Sequence, residues 1–139
     1  MKYIILTILL ISSLLGDEHE WSSDYKEALK IAKKEKKDVY VLITSQSCRW
    51  CRKFEGSTLQ NERVLEMLEQ KYVLVHADRD MDYLPKKFKI KRVPRHYFVT
   101  AEGKVIYSFL GYWDELDFRS FLGDVDRERK KKIKRGIIK

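Results

Sequence analysis

Cys48 and Cys51 are the only two cysteines in the chain, and they directly follow the apolar, β-branched run Val39-Tyr40-Val41-Leu42-Ile43-Thr44. A run with no polar face reads as a central strand covered on both sides. Ser45-Gln46-Ser47 reads as the turn that delivers the first cysteine, and the chain can be helical from about Cys51. The pair therefore falls where a strand hands over to a helix, the setting in which Cys-x-x-Cys reads as redox chemistry. A structural staple is the alternative. Magnitude disfavours it, because loop-closure entropy assigns so small a ring only roughly 2 kcal/mol.

The chain has 139 residues, enough for one domain with a sizeable core but not for two. Apolar residues make up 44% and charged residues 36%, as in a globular protein with a heavily solvated surface. The N-terminus differs. Lys2 gives a positive start, and Ile4 to Leu15 is apolar apart from Thr7, Ser12 and Ser13. Asp17-Glu18-His19-Glu20 then turns the chain polar. That run is short for a bilayer span and suits the core of an export signal at 1–16, cut after Gly16. Leu14 departs from the small-residue rule at such a cut. An uncleaved anchor or a buried first strand is the alternative.

Beyond the signal, Asp24 and Glu27 have capping-box spacing, with Tyr25, Ala28, Leu29 and Ala32 recurring at helical period. A helix after the cysteines should break near Gly56-Ser57-Thr58 and restart at Asn61, with Val64, Leu65 and Leu68 on one side. Tyr72 to Ala77 reads as a second strand. Asp78 to Lys89 reads as a loop with a short helix, Pro85 lying in its first turn. Val93 to Thr100 and Lys104 to Leu110 read as two strands joined at Ala101-Glu102-Gly103. A last helix from near Asp114 carries Leu116, Phe118, Phe121, Leu122 and Val125. The resulting order, αβαβαββα, gives an α/β fold whose first strands are parallel and whose closing hairpin is antiparallel.

Net charge is +8, from 29 basic and 21 acidic residues. Much of the excess is a basic tail at 127–139, holding Arg127, Arg129, Lys130, Lys131, Lys132, Lys134, Arg135 and Lys139. A solvated helix end with a frayed tail is preferred over attraction to an anionic membrane or acidic partner. Nucleic acid is not an expected partner, since no aromatic-basic binding pattern is present.

The order of elements resembles the thioredoxin fold. The likeness rests on the strand leading into Cys48-x-x-Cys51, on Val93-Pro94 opening a strand some forty residues later, and on Gly111 ahead of the terminal helix. It covers roughly Trp21 to Val125, within a domain bounded at 17–126, and is nearest to exported, periplasmic thioredoxin-like proteins of bacteria. The resemblance implies a central mixed sheet flanked by helices. It also implies that Cys48 is the exposed nucleophile, that Cys51 is the resolving thiol, and that Pro94 is a cis-proline shaping a substrate groove. Val93 would offer backbone groups to an extended client segment. Arg49, Arg52 and Lys53, with the helix N-terminus, should favour the Cys48 thiolate.

Several residues depart from the thioredoxin pattern. Ser47 stands where thioredoxin has Trp, and Arg49-Trp50 where it has Gly-Pro. Leu42 occupies the place of its buried acid, a role unfilled unless Glu55 or another group substitutes. Such a pair should be more oxidising than thioredoxin. Trp50 reads equally as a docking surface or as a ring packed on its own helix. Of Arg95 and His96, at most one should line the groove, because a strand sends neighbours to opposite faces, and Arg95 is taken as that residue. A solvent-facing His96 is preferred. Tyr112, Trp113 and Phe118 read as packing.

The reading is thus an exported thiol–disulfide oxidoreductase acting on protein disulfide or dithiol clients, monomeric and without a cofactor. Reduction of periplasmic clients, fed by a membrane-bound electron donor, is preferred on the resemblance, although the local charge points the other way. The alternative class is a copper- or other metal-handling module using Cys48, Cys51 and His96. His19 and His76 show no ligand spacing. A redox-inert scaffold is the third.

Overall fold

The computed structural model describes residues 20–139, so the expected signal at 1–16 and the segment through His19 lie outside the described residues. The elements are β1 (Trp21–Ser22), α1 (Tyr25–Glu35), β2 (Asp38–Thr44), α2 (Arg49–Gly56), α3 (Glu62–Lys71), β3 (Tyr72–Asp78), β4 (Arg95–Val99), β5 (Val105–Leu110) and α4 (Glu115–Lys134). They form one five-stranded sheet in the order β1-β3-β2-β4-β5. β1 and β2 run parallel to β3, whereas β4 pairs antiparallel with β2 and with β5. The fold is a thioredoxin fold.

The order read from the sequence is present with two differences. A two-residue edge strand, Trp21–Ser22, precedes α1 and pairs with Leu74 and Val75. The short helix expected within 78–89 is only a 3₁₀ turn, Lys86–Phe88, with Pro85 just ahead of it. Proline lacks an N–H and fixes φ, so it suits that entry, but the chain never completes an α turn there.

β2 is buried on both faces from Val39 to Thr44, which divides the core in two. Val39, Val41 and Ile43 pack with Tyr25, Ala28 and Ala32 of α1 and with Val75 and Ala77 of β3. Tyr40 and Leu42 face the other way, onto Phe54 of α2, Val64 and Leu68 of α3, and Phe118, Leu122 and Val125 of α4. α1 starts where expected, because Asp24 Oδ1 accepts from the N–H groups of Lys26 and Glu27 at 2.9 and 3.0 Å. Only half of the capping box forms. The Glu27 carboxylate turns outward to Lys30 at 3.1 Å, and Ser22 Oγ accepts the Asp24 N–H instead.

α4 corrects two expectations. Leu116 is 73% exposed, so the buried stripe of this helix begins at Phe118. The helix also runs through the basic segment to Lys134, with no break at 126. Its end is closed by a Schellman arrangement. Gly136, at φ +68, donates to the Ile133 carbonyl at 2.9 Å, and Ile137 donates to Lys132 at 2.9 Å. Ile138 then folds back into the core at 4% exposure. Arg129 reaches Asp38 at 2.6 Å, and Lys132 Nζ donates to the Val105 carbonyl at 2.9 Å. These contacts hold the segment against the sheet, in place of the frayed tail read from its charge.

Candidate active site

Cys48 is the N-cap of α2, and its Sγ accepts the Cys51 N–H at 3.1 Å. The helix thus starts two residues before the expected Cys51. The two cysteines form a disulfide with Cα atoms 5.2 Å apart. Cys51 is 1% exposed, whereas Cys48 is half-buried at the surface end of the pair. Phe54 anchors α2 through edge-to-face contacts with His96 and Phe118, ring centroids 4.9 and 5.2 Å apart. That anchoring fixes the height of the disulfide over the end of β2 and the start of β4.

The Val93–Pro94 peptide bond is cis. Cys48 Sγ lies 3.7 Å from the Val93 carbonyl oxygen, so the cysteine and this loop face each other across a short gap. An open groove of about 660 Å³ begins there, with Cys48, Trp50, Val93 and Pro94 among its walls. The structure therefore brings together the residues singled out at those four positions.

Sequence reasoning missed the rest of the groove. Arg79, Lys91 and Arg92 line it, as do Leu110, Gly111 and Tyr112. Gly111 carried a signal, since glycine at the end of a strand marks a backbone that other residues cannot easily follow. Its φ is +101, its N–H donates to the Pro94 carbonyl at 2.8 Å, and its own carbonyl meets His96 Nε2 at 2.9 Å. Nothing in the local sequence marked Arg79, which is brought in by β3.

His96 is the main correction. It is fully buried rather than solvent-facing, on the same face as Tyr40. A carbonyl can only accept, so Nε2 carries the proton toward Gly111, and Nδ1 accepts from the Tyr40 hydroxyl at 2.7 Å. Burial pushes the imidazole pKa down to about 4, against the Gly111 hydrogen bond, which favours the charged form. With both nitrogens taken, His96 cannot serve as the third metal ligand of the copper reading. Among the described residues no group of three or more His, Cys, Asp and Glu is placed to hold a metal ion.

Arg95 also lies away from the groove. Its guanidinium spans β4 and β5, donating to Ser108 Oγ at 3.1 Å and lying 5.4 Å from the Tyr97 ring. Trp50 is 46% exposed, and its ring is 5.9 Å from that of Tyr112. Arg49 and Lys53 flank it, their charged groups 5.0 and 5.2 Å from the Trp50 ring. Arg52 instead hydrogen-bonds the Gln46 carbonyl and ties α2 to the preceding turn. Leu42 is fully buried beside His76 in the β2–β3 register, so no carboxylate occupies that position. Glu55, one helical turn after Cys51, is engaged by His76 Nε2 at 2.8 Å, and Thr44 Oγ1 lies 2.8 Å from the same nitrogen.

A helix-capping disulfide facing a cis-proline loop, at the end of the central strands of a mixed sheet, defines the thioredoxin class of proteins. The chain belongs to the thioredoxin-like family, whose model matches residues 20–101. It is 33% identical over 61 residues to Spermatogenesis-associated protein 20 of Rattus norvegicus, a match covering 44% of this chain and 8% of that protein. It is 31% identical over 87 residues to human Anterior gradient protein 3, covering 60% of this chain and 51% of that protein. The chain thus spans only a fraction of the curated relatives it matches. Among solved structures it resembles a thioredoxin from Thermus thermophilus, with a TM-score of 0.65 at 23% identity, covering 76% of this chain and 85% of that one.

Proposed function

We propose that the protein is a thiol–disulfide oxidoreductase that exchanges disulfides with polypeptide clients through Cys48 and Cys51. The observation that carries this reading is the placement of Cys48. It caps a helix, sits at the surface end of the disulfide and faces Val93 across the groove. In the reduced protein the Cys48 thiolate attacks one sulfur of a client disulfide. The Cys48–client S–S bond forms, the client S–S bond breaks, and one client sulfur leaves as thiolate. The Cys51 thiolate then attacks Cys48 Sγ, closes the internal disulfide and releases the second client sulfur. Two electrons pass to the client, and an upstream dithiol restores the reduced pair.

The Cys51 N–H and the α2 N-terminus stabilise a thiolate at Cys48. Arg49 and Lys53 add cations on the same turn, and Leu42 leaves the buried-acid position empty of charge. All of these favour the reduced form and raise the reduction potential. Local charge alone would favour an oxidant; on the likeness to thioredoxin we nevertheless assign the protein to disulfide reduction in an exported compartment, with 1–16 as its export signal and a membrane-bound dithiol as the electron source.

Equilibration of the mature protein with defined dithiol and glutathione buffers tests the direction. A potential in the range of roughly −270 to −200 mV supports a reductase. A potential near roughly −120 mV makes the protein an oxidant and overturns the assignment. Export is checked separately, by N-terminal sequencing of the processed protein and its recovery outside the cytoplasm.

A further inference from the structure

The charges around the groove are lopsided. Among the described residues no Asp or Glu lines it, whereas Arg79, Lys91 and Arg92 do, and Arg49 and Lys53 stand over Trp50. Lys53 Nζ also lies 4.6 Å from the Tyr112 ring, so a cation sits between the two aromatic walls. The nearby acids are already committed to the loop that follows β3. Asp80 is gripped by the Arg79 guanidinium through two contacts of 3.0 Å. Asp82 Oδ2 accepts the Asp78 N–H at 2.7 Å, and Asp78 Oδ1 accepts from Asp80 and Met81 at 2.8 and 3.1 Å. Arg79 is therefore matched and acts as a strut, its Nη1 donating to the Lys91 carbonyl at 2.5 Å.

By contrast, Arg49, Lys53, Lys91 and Arg92 form no ion pair with a carboxylate among the described residues. All four are exposed. Lys91 and Arg92 immediately precede Val93, so they flank the segment that faces Cys48. Arg49 and Lys53 lie against the Trp50 ring, which also lines the groove. Two unmatched cations thus line the groove and two more stand against its Trp50 wall, and the potential of such a cleft concentrates anions.

Building on the exchange reading above, we propose that this groove selects acidic clients, namely polypeptide segments in which the reacting cysteine is flanked by Asp or Glu. The apolar lining of Pro94, Leu110 and the Trp50 and Tyr112 rings takes the residues next to the sulfur. The four cations meet the neighbouring carboxylates. Such complementarity acts mainly on the association rate, and salt screens it. The basic run of α4 has no part in this selection. Its anchor Asp38 begins β2, whereas Cys48 follows the end of that strand, roughly 20 Å away at the rise of an extended chain.

The test uses the reduced protein and three short peptides. Each has one cysteine as a mixed disulfide with thionitrobenzoate, flanked by Glu, by Gln or by Lys. Attack by the Cys48 thiolate forms the Cys48–peptide disulfide and expels thionitrobenzoate, which is followed by its absorbance. In low salt the Glu peptide should react about ten-fold faster than the Lys peptide, and the gap should close towards unity at high ionic strength. The exposed double substitution Lys91→Glu with Arg92→Glu should reverse the order of the peptides. Equal rates for all three peptides in low salt would overturn acidic selection and leave the exchange chemistry standing. No thionitrobenzoate release from any peptide would remove the exchange reading, and this inference with it.

Discussion

His96 shows what a single residue does here that its neighbours in sequence do not announce. The imidazole carries one proton at Nε2 and is held between a hydroxyl and a carbonyl, 2.7 and 2.9 Å away. Its pKa in the fold is about 4, below the ordinary 6.5, so the unfolded chain binds more protons across that window. Stability linked to His96 is therefore complete above about pH 6.5, falls as the pH drops towards 4, and falls no further below it. The span corresponds to about 3 kcal/mol. Urea unfolding of the oxidised protein at pH 7 and pH 4 should show this loss on top of the carboxylate contribution. His96→Leu should cost about 2–4 kcal/mol at pH 7, by stranding the Tyr40 hydroxyl and the Gly111 carbonyl. The same variant should lose the extra acid sensitivity; a variant that keeps it would show that another group titrates. Alternation along the strand was legible, and it correctly put Arg95 and His96 on opposite faces. The sequence did not reveal that the face of His96 is roofed by Phe54, Phe109 and Phe118, because that roof comes from three separate elements.

At the scale of elements, what was legible follows from strong local signals. β2 was marked by its unbroken apolar run, the split of α2 from α3 by Gly56-Ser57-Thr58, and the start of α3 by Asn61, whose Oδ1 accepts the Val64 N–H at 3.1 Å. β1 was invisible because two residues carry no period, and only pairing with β3 makes them a strand. The C-terminal end of α4 was misread because its charges dominate its composition. Gly136 was the overlooked signal, since glycine shortly after a basic last turn is how helices commonly close. Two substitutions test this account by thermal unfolding. Gly136→Ala forces a Cβ into the left-handed region at φ +68 and should cost about 1 kcal/mol. Ile138→Ala removes a buried side chain next to the chain end, where neighbours can relax, and should cost about 2 kcal/mol. Unchanged melting of both would return the segment to a loose tail.

For the whole molecule, the sheet gives the chain two chemically distinct ends. β2 enters at Asp38, where Arg129 neutralises a carboxylate, and leaves towards the disulfide, where cations stay unmatched. Cys48 and Cys51 could be read from their spacing, and Val93 and Pro94 through the likeness to the thioredoxin fold, whereas Trp50 stayed open between two readings. What brings the two halves together is tertiary pairing. Val93 and Pro94 reach the disulfide only because β4 lies antiparallel beside β2, and Arg79 only because β3 lies parallel on its other side. Net charge of +8 gave no hint that the groove cations and the helix cations serve different ends.

The central claim is that Cys48 forms the bond to the client and Cys51 breaks it. Its most direct test is mass spectrometry of single-cysteine variants incubated with a disulfide-bonded polypeptide. The reduced Cys51→Ser variant should accumulate a covalent adduct of one client mass on Cys48, discharged by added dithiol. Cys48→Ser, whose remaining thiol is buried, should accumulate almost none. Adducts of equal yield on both variants, or on neither, would contradict the account.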